Sequence, residues 1–98
     1  MAIDRGILAI LEAKPGKGED LASFLRQGQA LAAQENGTVT WYAFRISETT
    51  YGIFDTFETE EARQAHLDGQ IPAALGAVAP DLLASDPDIR TTDIIAVK

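Results

Sequence analysis

Residues 38–57, TVTWYAFRISETTYGIFDTF, constrain the fold more than any other stretch of this chain. They form two runs dense in β-branched and aromatic side chains, separated by Ser47-Glu48-Thr49, and that pattern predicts an antiparallel hairpin. Side chains alternate between the faces of a strand, so the pairing register decides which groups meet. With Ile46 opposite Tyr51, the pairs run Phe44 with Ile53, Tyr42 with Asp55 and Thr40 with Phe57 on one face. The other face then carries Val39, Trp41, Ala43, Arg45, Gly52, Phe54 and Thr56. A turn one residue longer or shorter would swap the faces of one strand.

The flanking segments supply the other layer. Residues 7–13 are a short apolar run closed by Pro15-Gly16, the pattern of a central strand buried on both faces. Leu21, Phe24, Leu25, Gly28, Leu31 and Ala32 then recur at helical spacing, and Asn36-Gly37 is a helix-stop signal because both residues tolerate the left-handed conformation. Thr59 suits an N-cap, with Glu60 and Glu61 in the first turn where the helix dipole favours negative charge. That helix runs through Ala62, Ala65 and His66 to Gly69, and a further helical segment opens at Ile71-Pro72. Pro80 and the run Ser85-Asp86-Pro87-Asp88 read as breakers, and residues 89–97 as a last strand.

The order strand, helix, strand, strand, helix, strand is the split βαβ arrangement of ferredoxin-like α+β folds, expected as a single domain over residues 1–98. Its helices cover one sheet face. Because residues 7–11 and 94–97 are apolar on both sides, a second copy packing sheet to sheet is the economical cover, giving a homodimeric barrel.

Composition narrows the functions. The formal charge of −7, with eight scattered Lys and Arg, disfavours nucleic acid and anionic membranes as partners. No cysteine is present, which removes thiol catalysis and thiolate metal sites and is compatible with a cytoplasmic location. The N-terminal apolar run is too short for a membrane span. One histidine and dispersed carboxylates offer no metal-ligand set, so no metal is expected. The glycines of PGKGED lack the closing Lys-Ser or Lys-Thr of a phosphate loop, and no nucleophile-elbow sequence occurs.

Three segments, PGKGEDLASFL, GTVTWYAF and YGIFDTFETEEARQAHLDGQI, resemble the antibiotic biosynthesis monooxygenase family across nearly the whole chain. The matching features are the early Pro-Gly-Lys, the aromatic hairpin ending in Phe57-Glu58, and the helix from Glu61 to His66-Leu67. The resemblance implies a dimeric α+β barrel with a pocket between helices and sheet. In some members it implies oxidation of quinols or polycyclic aromatics by molecular oxygen without any cofactor. Other members degrade haem, and at the positions that branch uses this chain has Ala9, His66 and Gly76 in place of asparagine, tryptophan and histidine. Haem cleavage is not implied.

Cofactor-free oxygenation needs a group that deprotonates a phenol or enol and a dry pocket that holds the anion. Tyr42 opposite Asp55 is either a catalytic donor–base pair or a structural hydrogen bond. His66 suits a general base or a donor to a phenolate, and its helical position favours lining the pocket. These three are the candidate catalytic residues. Trp41, Phe44, Tyr51 and Ile53 are the candidate contacts to an apolar or aromatic small molecule, although a lone Trp41 on a central strand is more often core or dimer interface. Arg45 near the hairpin end reads as solvated. Rival readings on the same scaffold are a non-catalytic binding or interaction domain, and a polyketide cyclase or isomerase.

Overall fold

The computed structural model describes residues 2–98. Four strands, β1 (Arg5–Glu12), β2 (Thr38–Arg45), β3 (Thr50–Phe57) and β4 (Asp88–Asp93), form an antiparallel sheet in the order β2-β3-β1-β4. Helix α1 (Gly18–Ala33) links β1 to β2, and α2 (Glu60–Leu67) and α3 (Gln70–Leu82) link β3 to β4. This is the ferredoxin-like α+β architecture, with its second crossover split into two helices at Gly69.

Each element follows from local chemistry. On α1, Leu21, Leu25, Gly28 and Ala32 form one buried stripe at helical spacing. Thr59 caps α2 by accepting a hydrogen bond from the Ala62 amide. The core joins Leu11, Leu21, Leu25, Tyr51, Ile53, Leu75 and Leu83 between sheet and helices. None of the described helices is long and apolar enough to cross a membrane.

The hairpin register differs from the expected one by one residue. Tyr51 pairs with Arg45, Gly52 with Phe44, Phe54 with Tyr42 and Asp55 with Trp41. The connection has four residues, 46–49, because Ser47 Oγ accepts from the amides of Thr49 and Thr50 while the Ile46 amide bonds the Thr50 carbonyl. Phe44 lies directly over Gly52, where a Cβ would collide with its ring, so the glycine and the aromatic lock the pairing together. Tyr51, Ile53, Asp55 and Phe57 share one face, as expected, and it is the face turned to the helices. Tyr42 and Phe44 do not; they share the opposite face with Leu8, Ile10 and Phe54.

Two further expectations change. Strand β4 ends at Asp93, which pairs with Arg5; only the Ile94 amide, bonded to the Asp4 carbonyl, continues the contact. Residues 94–98 run on without strand pairing, leaving Ile95 98% exposed. Pro80 does not stop α3: it lies in the last turns, and the bond it cannot give to the carbonyl of Gly76 falls on an exposed side of the helix. The amide of Lys14 bonds Leu82 and its Nζ bonds the Pro80 carbonyl, fastening that helix end to the end of β1.

Candidate functional site: a buried carboxylate–imidazole–carboxylate chain

Asp55, in the middle of β3, is 1% exposed. It points under α2, where His66, 7% exposed, brings Nε2 to 3.0 Å from Asp55 Oδ2. This is ion-pair distance, but the contact is out of line for a full hydrogen bond, so both Asp55 oxygens keep acceptor capacity. On the other side of the ring, Nδ1 lies 2.6 Å from Glu35 Oε1. The same Glu35 oxygen accepts from Thr38 Oγ1 at 2.6 Å. The Phe57 ring packs against the imidazole at a centroid distance of 5.5 Å.

Three elements converge to make this chain. Thr59 sets the start of α2 and hence the position of His66 in its last turn. Alternation along β3 sends Asp55 to the same side. Glu35 follows the end of α1, and Gly37 lets its loop press onto α2: a Cβ on Gly37 would sit 2.6 Å from the Ala62 Cβ.

Burial works against charge on His66, but the close carboxylates of Asp55 and then Glu35 outweigh it, lifting its pKa from 6.5 to about 9. At neutral pH the ring is an imidazolium between two carboxylates. Those carboxylates address opposite ring nitrogens, so the three groups do not converge on one point as metal ligands would.

Asp55 and His66 border a cavity of about 30 Å³ whose other walls include Ile7, Ala9, Ile53, Ile71, Leu75 and Ile89. That is room for one water or a diatomic molecule at rest. A much larger opening, about 570 Å³, runs along α1 and β2 and is lined by Trp41, Tyr42, Phe44, Arg45 and Tyr51. Among the described residues, the smaller space is where a buried carboxylate with free acceptor capacity meets largely apolar walls.

The expected site is thus divided between two places. Asp55, His66 and Ile53 come together at the cavity. Tyr42 is 60% exposed on the opposite sheet face, across from Phe54, and makes no hydrogen bond to Asp55; the four-residue turn reverses the parity of β2. Trp41 packs on α1 at Gly28, with Nε1 buried and unpartnered. Phe44 covers Gly52. Tyr51 is buried beside Gly18, with the Arg45 guanidinium 5.3 Å above its ring and paired to Glu19 at 2.9 Å. Glu35 escaped the sequence reading altogether, since its one local mark is its place just before the Asn36-Gly37 stop.

Neither family models nor curated proteins match the chain. Among solved structures, NE2512, a protein of unknown function from Nitrosomonas europaea, is 45% identical over 98% of this chain and 93% of its own, with a TM-score of 0.95. A provisionally named antibiotic biosynthesis monooxygenase from Nitrosomonas europaea superposes with a TM-score of 0.83 at 12% identity, covering 97% of this chain and 93% of that one. Another, from Caulobacter crescentus CB15, has a TM-score of 0.80 at 22% identity, covering 96% and 92%. The chain therefore belongs to the family of NE2512 and is built on the antibiotic biosynthesis monooxygenase-like fold.

Proposed function

We propose that this protein is a cofactor-independent monooxygenase acting on an aromatic, polyketide or quinol-like small molecule. The observation that carries the reading is Asp55, fully buried, with free acceptor capacity beside an imidazolium in an apolar cavity. The names of its fold neighbours point the same way.

In this reading the substrate's acidic O–H or C–H donates its proton to Asp55, and the His66 imidazolium balances the anion left behind. For an anthrone-like CH2 group, the anion gives one electron to dioxygen, and the radical and superoxide so formed combine to a peroxide. Asp55 returns its proton to the peroxide, and loss of water leaves the ketone. One dioxygen is consumed per substrate, one oxygen atom ending in the ketone and one in water, and the base is regenerated. The resting cavity is far smaller than the roughly 300–1,000 Å³ of ordinary ligand sites, so a substrate that reaches Asp55 must displace side chains that line it.

The same reading includes a homodimer. Leu8, Ile10, Phe44, Phe54 and Tyr42 lie on the sheet face that no helix covers, and the tail beyond β4 adds Ile95 and Val97. A second copy facing that sheet would bury them.

A non-catalytic binding domain is the second reading, favoured by the cleft along α1 and β2, whose volume matches a ligand site and whose Trp41 Nε1 is buried without a partner. Oxygen uptake over a panel of hydroquinones and anthrones separates the two. We expect protein-dependent uptake that falls by about 10²-fold or more in Asp55→Asn. Binding without uptake would favour the second reading, and substrate turnover without uptake would favour an isomerase or cyclase.

A further inference from the structure

We infer that Glu35 is a positioning residue for the Asp55–His66 pair, holding the imidazole so that Nε2 faces Asp55 while Asp55 keeps an oxygen free toward the cavity. The consequence for turnover rests on the monooxygenase reading; the consequence for His66 does not.

The geometry is specific. Glu35 Oε1 receives Nδ1 at 2.6 Å, and Thr38 Oγ1 donates to the same oxygen, which fixes the carboxylate at the head of β2. With Nδ1 tethered there, rotation of the ring about its bond to Cβ would break a charge-assisted hydrogen bond, and Nε2 stays aimed at β3. The loop carrying Glu35 has little room to retreat, because Gly37 is in close contact with Ala62 and Glu35 Oε2 lies near Gly69. The contacts to the ring come from β3 and from the loop after α1. Asp55 faces it from β3, Glu35 from the loop after α1, and Phe57 from the end of β3, while α3 presents Ile71, Pro72 and Leu75 to the adjoining cavity. On α2 itself, Arg63 is occupied by the carbonyls of Gly6 and Thr92 and by Glu60.

If Asp55 alone held the ring, the out-of-line contact at 3.0 Å would be its one polar tether, and the imidazole could turn to give Asp55 a straight hydrogen bond. That turn would occupy Oδ2 more fully and leave Asp55 with less acceptor capacity toward the cavity. Glu35 thus acts through His66 on Asp55, without touching the substrate.

His66 is the single histidine, so its ring resonances in an NMR titration report this chain without overlap. In the wild type the midpoint should stand near 9. In Glu35→Gln it should fall to about 8 or lower, and Glu35→Asp should recover part of the difference. The pH profile of oxygen uptake should move with that midpoint, with kcat lower by about tenfold and KM for the organic substrate within about twofold. An unmoved His66 midpoint in Glu35→Gln overturns the inference, as does a moved midpoint with an unmoved pH profile. Should the wild type show no uptake on any substrate, the monooxygenase reading fails and the titration alone decides Glu35. If Glu35→Gln does not fold, Thr38→Val, which frees one side of the Glu35 carboxylate, should lower the midpoint by a smaller step, and no shift there counts against the inference.

Discussion

Raising the pH should weaken this protein through His66. The folded imidazolium has a pKa of about 9 and the unfolded one about 6.5, so the folded state binds the proton more tightly. The resulting stabilisation is fully present below pH 6.5 and is lost as pH rises through about 9. The full difference corresponds to roughly 3 kcal/mol. Glu35 lies on the water side of the ring, where its charge is partly screened, so about 2 kcal/mol is the better expectation. Against a total of about 5–15 kcal/mol for a chain of this size, that is a large fraction. Urea unfolding at pH 6.0, 7.5 and 9.5, at one protein concentration, should show the midpoint falling across the range with an unchanged m value. Other groups titrate there too, so His66→Gln is the control: the difference between wild type and variant isolates the imidazolium. A wild-type slope no steeper than that of His66→Gln would refute the reasoning, since it would mean that burial cancels the two carboxylates.

Gly37→Ala should force the loop after α1 away from α2, because the new methyl would sit 2.6 Å from the Ala62 Cβ; a loss of about 1–3 kcal/mol in thermal unfolding and a lower His66 midpoint are expected together. Unchanged stability with an unchanged midpoint would show that the contact is slack. Phe54→Glu places a charge in the uncovered sheet face, and sedimentation should show the wild type at twice the chain mass and the variant at the chain mass. A wild type that sediments as a monomer at micromolar concentration would remove the dimer from the reading.

Much of the fold was legible in the residues themselves. The stripe at Leu21, Leu25, Gly28 and Ala32 and the Thr59 cap are local signals, satisfied within one turn or one helix, and they specify α1 and the start of α2. The hairpin was equally plain, but its register was not. Parity depends on one residue in the turn, and that residue was settled by Ser47 bonding the amides of Thr49 and Thr50 and by Phe44 covering Gly52 across the strands. A glycine inside an aromatic strand was the available hint. The site divided along the same line. Asp55 and His66 were readable as polar exceptions in apolar surroundings, whereas Tyr42 moved to the other face with the register.

By itself, then, the sequence determined the kinds of elements and their order and marked Asp55 and His66 among its few polar exceptions, because periodicity, capping and composition act over a few residues. The tertiary structure decided what those groups touch. Glu35 reaches His66 across 31 positions, Asp55 reaches it from a strand beneath the helix, and β4 ends where β1 runs out of partners at Arg5. Contacts of that span depend on how helix and sheet close against each other, and no local pattern encodes that distance.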